Sequence, residues 1–284
     1  MSSEPARLFS GMIDLHGHLL PGIDDGAKTM EQALSMARIA VRSGIAVSLL
    51  TPHHLNGVYE NPAEKVRQET KRFRAELARE KIELDVLPGA ECHLVPELPR
   101  ALADGKAMTV ADRGKAVLVE LPVHSIPMGA TAILEDIMVL DLVPVIVHPE
   151  RNSALRRHPE RLAEWIDMGC LAQVTAQSCT GAFGPDVEQA ARHMVTQGLI
   201  HFVASDAHRD RRRIPEIGPG REAINRWTSP EVGRLLSEEF PRALVSGRNP
   251  DTARLDDAID HCMAHRSIWT RLRRSFGAFS STRE

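Results

Sequence analysis

Residues 12–18 read Met-Ile-Asp-Leu-His-Gly-His, an apolar run that breaks into two histidines one residue apart. In an extended chain alternate side chains share a face, so His16 and His18 leave the strand on one side, and Gly17 permits close approach. Two imidazoles so placed suit a single metal ion. His-x-His also occurs without metal, so the reading depends on whether other strands end in the same way. They do. Met12–Leu15 is followed by six further runs rich in Val, Ile and Leu that read as buried parallel strands: Ile45–Leu50, Leu84–Leu87, Ala116–Val119, Val143–Val147, Leu171–Val174 and Ile200–Ala204. The second runs into His53-His54 and the third into Glu91. The fourth ends in Glu120, the fifth in His148-Pro149-Glu150-Arg151, and the seventh in Asp206-Ala207-His208.

Helical signals fall between these runs. Thr29 with Gln32 forms a capping box ahead of a helix that stops at Gly44. Asn61-Pro62-Ala63-Glu64 supplies an N-cap, a first-turn proline and an acid for the helix dipole. His158-Pro159-Glu160 opens a helix closed by Gly169, and Pro185 opens one closed by Gly198. Gly44, Gly169 and Gly198 each precede a strand, which is the rhythm of βα units. The polar strand ends at 18, 53, 91, 120 and 148 lie 35, 38, 29 and 28 residues apart, and the gap from 148 to 206 is 58, or two units. One polar set per unit predicts a TIM-like (β/α)7 barrel with its site at the C-terminal ends of the strands. An open doubly wound sheet gathers its ligands at one crevice instead.

Burying an acid at a strand end requires a partner, and Glu91, Glu120 and Asp206 each close an apolar run. One such acid reads as a paired ion. Three of them with five histidines at converging ends read as a metal cluster, and mixed imidazole and carboxylate donors favour Mn, Fe or Zn over Ca or Mg. Asp24-Asp25-Gly26 reads either as turn chemistry or as a ligand source. His54 and His93 adjoin the expected ligands, as supports for them or as contacts to substrate.

Composition narrows the alternatives. The 284 residues carry a net charge of -3, without the basic footprint of a nucleic-acid binder. No apolar run approaches the roughly 18 residues of a membrane span, and MSSEPARLFSG lacks the pattern of a signal peptide, so a cytoplasmic protein is expected. The cysteines Cys92, Cys170, Cys179 and Cys262 show no paired spacing. Cysteine phosphatases place an arginine six residues beyond the nucleophile. Here those positions hold Leu98, Ala176, Pro185 and Ile268, which rejects a thiol mechanism. No GxxxxGK[ST] loop is present either.

Taken together, the segments MIDLHGHLLPGIDDGAKT (12–29), TPHH (51–54), GAE (89–91), VE (119–120), VHPER (147–151) and ASDAH (204–208), with the late Asn249-Pro250, resemble the PHP superfamily. Within it they resemble the bacterial manganese-dependent protein-tyrosine phosphatases of capsule and exopolysaccharide clusters. The resemblance spans residues 12–250 and implies an α/β fold, a distorted TIM-like barrel of seven strands, in a domain over 1–250 with a tail over 251–284. It implies three divalent ions, manganese first and iron or zinc next. One would take His16, His18, Glu91 and Asp206; a second would share Glu91 and add Glu120 and His148; the third would take Asp25, His53 and His208. Arg151 matches the family's phosphate-binding arginine. Arg213 falls where a second is expected, although Arg211-Arg212-Arg213 leaves open which side chain faces inward. The implied reaction is attack by metal-activated hydroxide on a phosphotyrosine protein, a bacterial tyrosine kinase that controls capsule or exopolysaccharide synthesis. His54 or a metal-bound water would supply the leaving-group proton. The segment QVTAQSCTGAFG (173–184) departs from the VNS-like sequence of other members.

Three other readings compete. A PHP phosphatase of a small ester, such as histidinol phosphate, would share the cluster. A metal-dependent amidohydrolase also uses His-x-His, yet it usually has eight strands and often a bridging lysine, and no strand here ends in Lys. An inactive regulator would not need ligands at every matched position. In the tail, Ile268, Trp269, Leu272, Phe276 and Phe279 alternate with Arg266, Arg271, Arg273 and Arg274. That pattern fits a basic helix docking on anionic lipid or a membrane-bound kinase, or else one packed on the barrel.

Overall fold

The computed structural model describes residues 11–262 and 264. All seven expected strands are present, two of them broken in the middle. In chain order they are β1 (Met12–Gly17), β2 (Ile45–Leu50) with β3 (His53–His54), β4 (Asp85–Pro88) with β5 (Glu91–His93), β6 (Ala116–Glu120), β7 (Val143–Val147), β8 (Leu171–Thr175) and β9 (Phe202–Ala204). The last is shorter than the expected Ile200–Ala204. The break between β2 and β3 falls at Thr51-Pro52, where proline has no N–H to give the ladder. The break between β4 and β5 falls at Gly89-Ala90, where a Cβ on Gly89 would lie 2.8 Å from Leu49 Cγ. Backbone bonds from Gly89 N to Leu50 O and from Glu91 N to Pro52 O carry the pairing across both breaks.

Every strand pair is parallel. The breaks divide the strands into a sheet ordered β1-β2-β4 and one ordered β3-β5-β6-β7-β8-β9. The free edges meet where β9 ends beside β1: Gly17 bridges Ala207, Asp206 N donates to His16 O at 2.8 Å, and His18 N donates to Ala207 O at 2.8 Å. First and last strands are thereby held together at the end that carries the histidines and acids.

Helices cover the outside and bury apolar faces against the sheets. α1 (Met30–Arg42) buries Ala33, Leu34, Met36, Ala37 and Ala40, and α2 (Ala63–Arg79) buries Val66, Phe73 and Leu77. α3 (Leu98–Ala103), α4 (Ala130–Val139), α5 (Ser153–Arg157), α6 (Pro159–Asp167), α7 (Pro185–Thr196) and α8 (Gly218–Trp227) continue the layer, and Trp165 of α6 is fully buried. Thr29 caps α1 by accepting from Gln32 N at 3.2 Å, while Gln32 Oε1 accepts from Lys28 N. The expected Asn61 cap of α2 is not formed. Pro62 holds the cap position, and Asn61 is buried with its amide donating to Ile23 O at 3.1 Å and His53 O at 2.8 Å. Holding those two carbonyls sets the orientation of the amide, and Oδ1 accepts from no first-turn N–H.

Residues 253–262 are helical, and Leu255 and Ile259 join the same core as the barrel. The amphipathic pattern of residues 266–279 lies outside the described residues. Among those described, no helix is long and apolar enough to cross a membrane. Replacing Asn61 by Ala should cost about 1–3 kcal/mol, since the Ile23 and His53 carbonyls lose this donor. Urea unfolding at unchanged m-value measures this, and a cost near zero would show that the two carbonyls find other donors.

Candidate metal centre

The strand ends bring nine predicted ligands into one cluster. His16 and His18, on alternate positions of β1, turn their Nε2 atoms to within 3.3 Å of each other. Glu91 Oε2 stands 3.2 Å from His16 Nε2 and 3.3 Å from His18 Nε2, while Asp206 Oδ1 stands 3.6 and 3.5 Å from the same two atoms. Donors that share one ion through bonds of about 2.0–2.2 Å are spaced in this range. A second group forms at the loop after β1, where Asp25 Oδ1 lies 3.4 Å from both His53 Nε2 and His208 Nε2, with His18 alongside. A third joins Glu91, Glu120 and His53, whose Nδ1 is 3.0 Å from Glu91 Oε2 and 3.5 Å from Glu120 Oε2. His148 Nε2 meets Glu91 Oε1 at 2.8 Å and stands 3.9 Å from Glu120 Oε1.

The donor set fits divalent metal. Asp25 Oδ1, His53 Nδ1 and Glu91 Oε2 are buried and have no hydrogen-bond partner, a costly state for carboxylate and imidazole unless a cation completes it. The imidazoles are also held for ligation from behind. His16 Nδ1 pairs with Gln173 Oε1 at 2.9 Å, His18 Nδ1 with Asp24 Oδ2 at 2.8 Å, and His208 Nδ1 with the Asp206 carbonyl at 3.0 Å. Each of these oxygens accepts the Nδ1–H, which leaves the Nε2 lone pair facing the cluster.

Arginines meet the same centre. Arg151 Nη1 bonds Asp206 Oδ2, and Arg213 Nη2 reaches that oxygen at 2.5 Å. Asp206 therefore divides its carboxylate, Oδ1 towards the imidazoles and Oδ2 towards two guanidinium groups. Of the three consecutive arginines, Arg213 faces inward while Arg211 and Arg212 are exposed. His148, Asp206 and Arg213 all have left-handed backbones, with φ of 37°, 50° and 49°. Such conformations cost free energy away from glycine, and here they aim side chains into the site.

The structure does not bring His54 to the cluster. Adjacent residues of a strand face opposite ways, and His53 takes the inner face. His54 is buried with Nδ1 accepting from Asn61 N at 3.2 Å, and burial lowers its pKa despite Glu60, so it is neutral. His93 is placed nearer, its Nδ1 3.5 Å from Glu120 Oε2.

The family model for "Capsular polysaccharide synthesis, CpsB/CapC" matches residues 12–246. The chain belongs to this family. It is 40% identical to the tyrosine-protein phosphatase YwqE of Bacillus subtilis over 227 residues, covering 80% of this chain and 89% of that protein. It is 29% identical to the tyrosine-protein phosphatase CpsB of Streptococcus pneumoniae over 240 residues, covering 82% and 98%. Crystal structures of YwqE and CpsB, described as unique metal-dependent tyrosine phosphatases, include one that superposes with a TM-score of 0.81 at 35% identity, covering 84% of this chain and 96% of that one.

In this CpsB/CapC chain several supporting residues escaped the reading by motif. Asp24, weighed only as part of a turn or ligand loop, holds His18. Gln173, inside an apolar strand, holds His16; its position on the inward face of β8 is the available signal. Asp14 lies two residues before His16 on the same face, where it accepts from Ser205 Oγ at 2.5 Å and Ser205 N at 2.9 Å. Arg209 Nη1 donates to the carbonyls of Asp25, Gly26 and His208, tying the loop after β1 to the end of β9. Gly26 is required in that loop, because a Cβ there would lie 2.2 Å from His18 O.

Burial disfavours the protonated forms of His16, His18 and His53, yet neighbouring carboxylates outweigh it and raise all three pKa values above 6.5. Burial likewise opposes ionisation of Glu91 and Asp206, but the imidazoles beside them, with the arginines at Asp206, hold both well below the usual range. Without metal, protons on the imidazoles balance the acids; metal must displace them. The sign follows. Raised histidine pKa values stabilise the metal-free fold below an unfolded pKa of about 6.5, and this is lost as pH rises through the folded values. Metal ligation strengthens over the same window. The melting-temperature difference between metal-loaded and chelator-treated protein should therefore widen from about pH 6.5 upward, and a constant or shrinking difference would contradict this proton–metal exchange.

Proposed function

We propose that this chain is a metal-dependent protein-tyrosine phosphatase whose substrate is a tyrosine kinase controlling capsule or exopolysaccharide synthesis in the cytoplasm. The observation that carries the reading is the shared Asp206 carboxylate, which sets two phosphate-seeking arginines against a buried group of imidazoles and acids. Membership of the CpsB/CapC family and similarity to proteins named tyrosine-protein phosphatases support the substrate class.

His16, His18, Glu91 and Asp206 would hold one ion; Glu91, Glu120 and His148 a second; Asp25, His53 and His208 a third. Manganese is proposed, with iron and zinc suited to the same donors. When bound, such ions supply Lewis acidity towards phosphoryl oxygens and make water acidic enough to be a nucleophile at neutral pH. The rest falls to the protein. Arg151 and Arg213 orient the phosphate through paired N–H donors and spread charge over its outer oxygens. Asp206 fixes both guanidinium groups before substrate arrives, so they lose little freedom on binding it. Phe183 lies under Arg151, the guanidinium carbon 5.0 Å from the ring centre, and limits its movement further. A phenolate leaving group, with a parent pKa of about 10, needs less help from a proton donor than an alkoxide does.

Cysteine chemistry is disfavoured by more than the missing arginine. Burial, with Glu91 beside it, pushes the Cys92 thiol up to about 12, and burial with Glu150 and Glu188 holds Cys179 well above its ordinary value. Neither is a thiolate at neutral pH.

Turnover of a phosphotyrosine peptide, set beside histidinol phosphate and an amide, tests the reaction class. Activity confined to histidinol phosphate or to the amide would overturn it. His148→Ala should abolish turnover with the melting curve preserved. Arg151→Ala should lower kcat/KM by about 10²–10³-fold with bound metal unchanged, as for removal of one donor to developing charge. Wild-type kcat/KM in that variant would remove Arg151 from the phosphate site.

A further inference from the structure

Beside the metal cluster lies an open cavity of about 460 Å³, near the lower end of the roughly 300–1,000 Å³ typical of ligand pockets. Arg213 is part of its wall, and the same side chain reaches Asp206. The cavity therefore shares Arg213 with the arginine pair at Asp206, and Phe183 of its wall lies under Arg151. The lining is mixed, with Ala182, Phe183 and Pro219 apolar and Gln177, Arg212 and Glu216 polar or charged.

The wall is built to hold its shape. Ala182 and Phe183 stand between Gly181 and Gly184, whose φ values of 79° and 94° belong to glycine and fix the course of the loop at both ends of this pair. Gly220 at the start of α8 packs so closely that a Cβ would lie 2.6 Å from Ala176 Cα, which sets the back of the cavity. Glu150, adjacent to Arg151, accepts from Ser178 Oγ at 2.7 Å and from Thr175 N at 3.1 Å. These bonds anchor the loop that carries Phe183 to the turn that carries Arg151. Phe183 in turn lies beneath the Arg151 guanidinium.

We infer that this cavity is the subsite for the aromatic ring of the substrate, with Phe183 as the residue that selects aryl over alkyl phosphomonoesters. A phosphate on Arg151 and Arg213 would direct a phenyl ring along the apolar wall, where aromatic pairing and burial favour it. A short alkyl ester would reach the same arginines and leave the wall unfilled. The inference rests on the phosphatase reading for the position of the phosphate.

Binding of non-hydrolysable probes to the full, metal-supplied chain separates the two ideas. Benzylphosphonate should bind about tenfold more tightly than methylphosphonate. Phe183→Ala should weaken benzylphosphonate binding more than methylphosphonate binding, so that the ring advantage is lost, and Phe183→Tyr should restore the ratio. No ring advantage in the wild type, or the same advantage in Phe183→Ala, overturns the subsite. Equal loss for both probes would instead make Phe183 a support for Arg151 alone, which also overturns it. Phosphotyrosine turnover without a ring advantage leaves the phosphatase reading standing, while a ring advantage without turnover removes that reading and keeps the subsite.

Discussion

Asp206 is the residue on which the rest of the site depends. Its backbone N–H joins the last strand to the first through His16 O, its Oδ1 faces the imidazoles of β1, and its Oδ2 takes both arginines. The contact between first and last strands, the proposed metal ligation and the proposed orientation of phosphate thus meet in one residue. A carboxylate buried to this degree carries a large desolvation cost, so each group around it has a definite position to fill. The left-handed backbone at Asp206 and the bond from Ala207 N to Ser205 Oγ belong to the same constraint, because they turn the chain sharply where β9 ends. Asp14 then holds Ser205 from the neighbouring strand.

The proposed metal ligands were legible in the sequence because barrel geometry gives such residues a simple signature. A polar residue that ends a buried strand has few roles, and the period of the βα units brings all such ends to one face. His16, His18, His53, Glu91 and Asp206 could be read in this way. Asp25 needed the family resemblance as well, since an acid in a turn has other uses. What remained hidden involves contacts remote in sequence. Gln173 reaches His16 from 157 residues away, and Arg209 binds carbonyls of a loop 184 residues earlier. No local pattern marks such pairs. Asn61 illustrates the opposite failure: its local signal for a cap was correct in kind, yet its amide is held by the Ile23 and His53 carbonyls.

The inward arginine could not be chosen from Arg211-Arg212-Arg213 by residue type, since all three are identical. Backbone conformation decides it. Arg213 adopts a left-handed φ, and its carbonyl accepts from His208 N at 2.9 Å, so the loop folds back on the end of β9 and turns this side chain in. Arg211 and Arg212 stay exposed on the outer part of that turn. The same fold-back lets Arg213 serve both the Asp206 carboxylate and the wall of the adjoining cavity.

His53 bears on how the donors of the proposed cluster would be divided. Its Nε2 faces Asp25 and its Nδ1 faces Glu91 and Glu120, so it lies between two potential ion positions. A neutral imidazole has one lone pair and one N–H. If Nε2 serves the group with Asp25 and His208, Nδ1 keeps its proton and faces Glu91 Oε2 at 3.0 Å without a hydrogen bond to it. The pair Glu91 and Glu120 then needs another nitrogen, and His148 supplies it from Glu91 Oε1 at 2.8 Å. The reverse choice would leave Asp25 and His208 with only His18, whose Nε2 already lies 3.3 Å from Glu91 and 3.5 Å from Asp206. Sharing His18 between two ions meets the same limit of one lone pair. The arrangement that gives every imidazole a single task is therefore the one in which His53 goes with Asp25 and His208, and His148 with Glu91 and Glu120.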